Sequence, residues 1–361
     1  MRRHHRLGSY GFPCSHPDVR YYHPSELHRF VSDSDVIYLR VFRGFERLWA
    51  ALILALRKQH RPVIWEINAP LEEGRLMGEG SCRLFLMHAF RRATARFVNA
   101  TVCNTASLSE YAQRRWRISR NHVVRLGSDP GLFFPDLRNT SARHTNSGTL
   151  SVCWIGSAAY PWQGLERVMR VAERLASEHR PVRFELLGKA SAFERYRPLP
   201  NNVAVVDEKP YFDVPQFLAD FDVGLCLYRR DSYDSEVITM PFYRSPLKLF
   251  DYMASGVVPI ADDTPENRHV VNSGHNGILI NDDERLAGAL LEMQSNPHWR
   301  QSMAKQARQS VISYYNWERV ACDIESIAAE VVGGNQFRSA SQRTAAPAAS
   351  YTVLRTDVKQ R

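Results

Sequence analysis

From Leu150 onward the chain alternates short apolar runs with helical stripes, and this rhythm constrains its fold more than any other feature. Leu150-Ser-Val-Cys-Trp-Ile-Gly156 is an apolar run stopped by glycine, as in a buried strand. Between Gln163 and His179, Leu165, Val168, Ala172, Leu175 and Ala176 recur at three- and four-residue spacing, the stripe of an amphipathic helix. Val182–Gly188 and Val203–Val206 predict strands, Val214–Ala219 a helix, Asp222–Tyr228 a strand, Lys248–Ser255 a helix and Val257–Ala261 a strand. Such alternation implies an α/β fold with a parallel, doubly wound sheet. Ligands of such sheets bind at the carboxyl ends of the strands.

The first half is less regular. Asp35–Val41, Pro62–Ile67 and Ala100–Cys103 predict strands, and Glu46–Gln59, Gly80–Arg96 and Ser107–Arg115 predict helices. Residues 1–30 show no clear period. From Asn335 onward Ser, Ala, Arg, Thr and Gln prevail without periodicity, which predicts a disordered tail. The 361 residues suit two domains. The expected division is a basic first domain over 1–140, a second domain over 141–316, a last helix over 317–331 and a tail over 332–361.

Charge divides the chain as well. Residues 1–150 carry 23 Lys+Arg against 12 Asp+Glu, residues 151–330 carry 19 against 25, and residues 331–361 carry 5 against 1. The net charges are +11, −6 and +4. A positive first half points to an anionic partner such as a phospholipid surface or a phosphate-bearing acceptor, with a solvated Arg-rich face as the plain alternative. Nucleic acid is not expected, because no zinc-finger or RNP pattern is present. The longest nearly apolar run, Trp49–Leu56, is far shorter than the about 20 residues of a spanning helix. No apolar h-region follows the Arg- and His-rich N-terminus, so a secretory signal is not expected. The six cysteines are scattered without zinc spacing and read as buried free thiols in a reducing compartment. Together these features predict a cytoplasmic protein, peripheral at the inner membrane face if the basic half meets lipid.

The most informative motif is Ser245-Pro-Leu-Lys-Leu-Phe-Asp-Tyr-Met-Ala-Ser-Gly256. Ser245 can cap the helix and Pro246 suits its first turn, leaving free N–H groups and the positive dipole end as an anion site for a diphosphate. Lys248 adds a full charge, and Asp251, three residues on, can accept both hydroxyls of a ribose. Taken alone, Lys248 and Asp251 could equally be a surface i,i+3 ion pair. Leu247, Phe250 and Met253 or Ala254 are expected to face the core. Gly156 and Gly164 either form simple turns or let phosphate or acceptor approach the backbone after the first strand. Gly188 follows another strand end and could border a nucleobase. Glu266 is either a site acid or a helix-start acid favoured by the dipole. Glu66 and Asn68 end an apolar strand, where a carboxylate could orient an acceptor hydroxyl or act as its base; a salt bridge to one of the many arginines is the plain reading of Glu66.

This motif, with Val257–Ala261, Gly274–Ile280, Trp154–Ser157, Pro161–Leu165 and the connector Val123–Pro135, resembles the nucleotide-sugar domain of glycosyltransferase family four, the group-one retaining enzymes of GT-B fold. Glu66–Pro70 and Asn316-Trp-Glu318 are similar to further family segments. The resemblance implies two Rossmann-like, doubly wound parallel-sheet domains, the first one truncated, with the last helix crossing back toward the first domain. It implies transfer of a sugar from a UDP- or GDP-sugar to a lipid-linked or polysaccharide acceptor. Donor contacts fall at Gly156, Ser157, Gly164, Gly188, Ser245, Leu247, Lys248, Leu249 and Asp251, and the acceptor-side catalytic candidates are Glu66 and Asn68.

The sequence departs from the family pattern at three points. Tyr243 stands where many members carry a first acid, Asp251 replaces the commoner Glu, and Gln163 stands where a Lys often precedes the glycine. No Gly-rich strand–loop–helix precedes Asp35. These departures keep open a second reading, a catalytically inactive remnant acting as a binding or assembly protein. Asp33-Ser-Asp35 mimics a metal-binding D-x-D but precedes its strand, so no metal or other cofactor is expected. A leaving diphosphate would be stabilised by the helix N-terminus and Lys248 instead.

Overall fold

The computed structural model describes residues 20–22, 36–40, 62–76, 78–135, 148–228, 243, 245, 247–332 and 352–354. The predicted helix at Glu46–Gln59, the Asp33-Ser-Asp35 turn, Pro246 and nearly all of the expected tail lie outside the described residues. The chain divides into two compact units, one drawn from Met1–Val124 and Ala321–Arg361, the other from Arg125–Val320.

The second unit is built on six parallel strands: β6 (Leu150–Ile155), β7 (Val182–Leu187), β8 (Val203–Val206), β9 (Val223–Cys226), β10 (Val258–Asp262) and β11 (Ile278–Ile280). Their order across the sheet is β11-β10-β9-β6-β7-β8. The first three strands run one way from β6 and the next three the other, which is the doubly wound order with a switch point between β6 and β9. The strands form because their apolar runs are buried on both faces, as parallel strands covered by helices must be; β6, β9 and β10 are buried almost throughout.

The helices of this unit include the crossovers α4 (Leu165–Ser177), α5 (Val214–Leu218), α6 (Leu247–Ala254) and α7 (Pro265–Val270), and after the last strand α8 (Asp283–Ser295) and α9 (Pro297–Tyr314). Leu165, Val168, Val171, Ala172 and Leu175 of α4 pack on the sheet; Val171 takes the place expected of Ala176. Arg167 lies on the same buried side, where Nη1 donates to both oxygens of Asp262 at 2.6 and 2.8 Å and Nε to Asp283 at 2.6 Å. A buried guanidinium persists only with such pairing.

In the first unit β2 (Ile37–Arg40), β3 (Val63–Ile67), β4 (Ala100–Cys103) and β5 (Asn121–Val123) form a parallel sheet in that order. Around it lie α1 (Glu73–Leu76), α2 (Ser81–Ala95) and α3 (Ala106–Trp116). Strand β5 was expected only as the start of a connector; it pairs with β4, and the Val124 N–H continues the ladder to the Cys103 carbonyl at 2.9 Å. A three-residue edge strand leaves too short a pattern to read from sequence. The boundary between the units falls within α10 (Trp317–Val332). A further short pair joins β1 (Arg20–Tyr22) to β12 (Thr352–Leu354) in parallel. Those three tail residues are thus a strand where disorder was expected, the β-branched Thr352 and Val353 favouring it.

Cys103, Cys153 and Cys226 are buried as expected, but Cys82 and Cys322 are exposed, a correction to the reading of all six as buried thiols. The correction has a simple cause, since both lie on helices rather than in the apolar runs that become strands. Among the described residues no helix is long and apolar enough to cross a membrane, and no cluster of His, Cys, Asp and Glu could hold a metal ion.

Candidate functional site

The switch point between β6 and β9 is lined by glycines that give it room. At the end of β6, Gly156 adopts φ +151°, and Gly164, which opens α4, adopts φ +64°, both conformations that side chains disfavour. A methyl group on Gly164 would come within 2.9 Å of the Leu227 and Tyr228 backbone at the end of β9. One on Gly188, at the end of β7, would collide with the Gly156 carbonyl oxygen. The glycines therefore let the strand ends pack closely against one another, which is the turn role expected of them.

Helix α6 delivers the charge. It is packed on β9, β10 and α9, so Leu249, Phe250, Tyr252, Met253 and Ala254 are buried. Leu247 was expected inward with Phe250, and instead it is half-buried at the helix start with Lys248 and Asp251. Being enclosed on several sides leaves the helix only this strip partly open. Leu249 sits in the core, so of its groups only the backbone is available near the helix N-terminus. Ser245 is half-buried, and its carbonyl accepts the Leu247 N–H at 3.0 Å.

Lys248 and Asp251 do not pair with each other. The Lys248 Nζ donates to Gln163 Oε1 at 2.7 Å and lies 4.4 Å from the centre of the Trp154 ring, while a methyl on Gly156 would stand 3.0 Å from it. A cation over an aromatic face is held electrostatically. Burial pushes this ammonium down to about 8, against the weaker opposing influence of the Cys226 and Cys153 sulfurs. Asp251 Oδ1 accepts from Ser128 Oγ at 2.6 Å. Burial raises its carboxyl to about 7, and the Ser128 hydrogen bond offsets that only in part. Gly156, Gln163, Trp154 and Lys248 thus form one constellation at the switch point, with Asp251 and Ser128 one helical turn further along α6. Ser157 follows Gly156 in a half-exposed turn, where its carbonyl accepts the Tyr160 N–H at 3.2 Å.

Trp154, Ser128 and Tyr252 were not foreseen as site residues. Tyr252 ties α6 to the sheet, accepting the Ile155 N–H at 2.9 Å. Its ring occupies the space left by Gly224, where a methyl would approach within 2.5 Å. The Trp-Ile-Gly-Ser and Gly-Ser-Asp segments contain Trp154 and Ser128, but nothing in their spacing announces which helix they meet. Glu266 is buried in the first turn of α7, whose cap is the Thr264 hydroxyl accepting from the Asn267 N–H at 3.2 Å.

In the first unit, Asn68 Nδ2 donates to Glu66 Oε1 at 2.6 Å at the carboxyl end of β3. Four residues on, Glu72 gathers groups that sequence reading missed: Tyr111 donates its hydroxyl at 2.6 Å, and His88 Nε2 and Arg115 Nη2 each lie 3.3 Å from Oε1. Burial works to raise the Glu72 carboxyl, yet the bonds from His88 and Tyr111 prevail and hold it at about 2. Trp116 Nε1 donates to His88 Nδ1 at 3.3 Å, so the imidazole is fixed from both sides.

Comparison with known proteins bears on the second unit most directly, where residues 166–326 match the family model described as glycosyl transferase-like. Across both units the fold is that of GT-B glycosyltransferases. The sucrose-phosphate synthase of Thermosynechococcus elongatus is 16% identical, with a TM-score of 0.63 over 85% of this chain and 78% of that one. Anabaena HepE, solved with UDP-glucose, is 14% identical, with a TM-score of 0.61 over 85% and 82%. A glycosyltransferase of Rickettsia africae is 13% identical, with a TM-score of 0.64 over 86% and 81%. No curated protein sequence matches the chain.

Proposed function

We propose that this chain is a retaining glycosyltransferase that moves a sugar from a UDP- or GDP-sugar to a lipid-linked or polysaccharide acceptor. The observation that carries the reading is the Lys248 ammonium, held by Gln163 and the Trp154 face beside Gly156 at the switch point of a doubly wound sheet. Nucleotides bind such sheets at that point. HepE, with the same fold, has been solved with UDP and glucose.

In this reading the donor diphosphate lies against Lys248 and the N-terminal end of α6, near Gly156, Ser157 and Gly164. Asp251 accepts the ribose hydroxyls through the oxygen not engaged by Ser128. The second charge that a loop lysine would supply is absent at Gln163, whose amide instead orients Lys248. As the glycosidic bond to the diphosphate breaks, negative charge grows on the leaving oxygen, and Lys248 stabilises it without a metal ion. Glu66, bridged to Asn68, is the first-unit group proposed to orient the acceptor hydroxyl.

Lys248→Ala should weaken UDP or GDP binding by about 1.5–3 kcal/mol, the worth of a charge-assisted hydrogen bond. Titration calorimetry that finds one of these nucleotides bound equally well by both proteins would sink the assignment. Tyr243, standing where relatives carry an acid, favours the second reading of a binding or assembly protein without turnover. Donor hydrolysis or transfer that persists in EDTA, with the product anomer read by NMR, separates the two readings and tests the retaining course.

A further inference from the structure

We infer that the outward face of α2 is a docking surface for anionic lipid. Helix α2 is apolar on two sides. Leu84, Met87 and Ala95 face the interior with Arg91 and Thr94. On the opposite side Cys82, Phe85, Leu86, Ala89 and Ala93 form a second stripe at helical spacing, all exposed. Phe85 and Leu86 are 71% and 60% exposed, an adjacent pair of large apolar side chains standing in water. Single exposed apolar residues are ordinary, but a run along one helix face marks an interaction site.

The flanks of the stripe say what it meets. Arg83, Arg92 and Arg96 are exposed beside it, and no Asp or Glu occurs anywhere from Ser81 to Arg96. The acids that touch this helix reach it away from the stripe: Glu79, just before the helix begins, lies 3.8 Å from Arg83, and Glu72 lies 3.3 Å from His88. An apolar strip bordered only by arginines fits the boundary between phosphate headgroups and acyl chains, where the strip sinks among the chains and the guanidinium groups bond phosphate. A second copy of the chain is a poorer occupant. A two-fold contact through this strip would set the arginines of one copy against those of the other. Nucleic acid would use the arginines but leave Phe85 and Leu86 unmatched. The +11 charge of residues 1–150 agrees in sign with an anionic surface.

The inference stands apart from the donor site and is tested without nucleotide. The full chain is sedimented with vesicles of phosphatidylcholine alone and with vesicles in which part of that lipid is replaced by phosphatidylglycerol. It should bind the anionic vesicles, with partition falling as salt rises. Arg92→Gln with Arg96→Gln should lower that partition roughly thirtyfold, at about 1 kcal/mol per basic residue. Phe85→Ser with Leu86→Ser should lower it by on the order of tenfold or more and leave weak, salt-sensitive binding. Ala93→Glu, which sets an acid within the stripe, should act in the same direction.

These positions are exposed, so melting curves and nucleotide titrations of the variants should match the parent. A lost nucleotide site with retained vesicle binding would count against the functional reading alone. Three results would overturn the inference: equal partition into neutral vesicles, binding unchanged by all three variants, or tighter binding to duplex DNA than to anionic vesicles. A dimer in solution that Phe85→Ser with Leu86→Ser dissociates, without vesicle binding, would assign the face to a second copy instead.

Discussion

Lys248 and Asp251 sit one turn apart on α6, yet burial moves them in opposite directions, to about 8 and about 7. Lys248 normally titrates at 10.5. Between about 8 and 10.5 the unfolded chain holds a proton that the folded chain has released, so this group makes stability rise with pH. Asp251 normally titrates at 3.8. Between that value and about 7 the folded chain holds the extra proton, so its contribution to stability is full in acid and is lost as pH rises to neutrality. Asp251→Asn should therefore flatten the melting temperature between pH 4 and 7 while leaving the fold intact, and it should weaken nucleoside more than free diphosphate binding, since an amide offers one acceptor oxygen where a carboxylate offers two. A variant that melts lower at every pH and binds nucleotide normally would make Asp251 a structural partner of Ser128. The residue types at 248 and 251 were legible in the sequence; their separate partners, Gln163 with Trp154 and Ser128, were not, because Gln163 and Ser128 lie 85 and 123 positions away and Trp154 is as remote.

At the scale of elements, α6 owes its placement to one tyrosine and one glycine. Tyr252 accepts the Ile155 N–H at the end of β6, and its ring fits against β9 only because residue 224 has no side chain. Gly224→Ala should thus push the helix off the sheet, destabilising the unit by about 1–3 kcal/mol as overpacked cores do. Because the same shift carries Lys248 away from Gly156, nucleotide affinity should fall along with the urea midpoint. Unchanged affinity in a destabilised variant would show that α6 is positioned by its other contacts. Helical periodicity located this helix to within a residue, but it mistook the orientation of Leu247. The wide burial of α6 by β9, β10 and α9 hides the stripe on which such a reading depends.

For the whole molecule, the division of charge and the division of structure agree in outline: a basic first half contributes the sheet β2-β3-β4-β5, and an acidic second half the six-stranded sheet. If the nucleotide site lies in the second sheet as proposed, a saturating nucleotide sugar should raise the thermal transition, since ligand at about 100 times its Kd stabilises by about 2.7 kcal/mol. Scanning UDP- and GDP-sugars by thermal shift would identify the donor by the largest rise. A flat response across nucleotide sugars, with the protein folded, would remove support from the donor reading.

The sequence alone determined the strand–helix alternation, because buried parallel strands need continuous apolar runs and crossover helices need a stripe. It also singled out Ser245–Asp251 and the glycines at 156, 164 and 188 as the residues proposed to meet a diphosphate and ribose. Only the tertiary structure decided the strand order β11-β10-β9-β6-β7-β8, and with it the switch point where Gly156 and Lys248 meet. Periodicity reports which face of an element is buried but carries no information about which distant element covers it. That choice is made by packing among residues far apart in the chain, as with Lys248 over Trp154 and Tyr252 against Gly224.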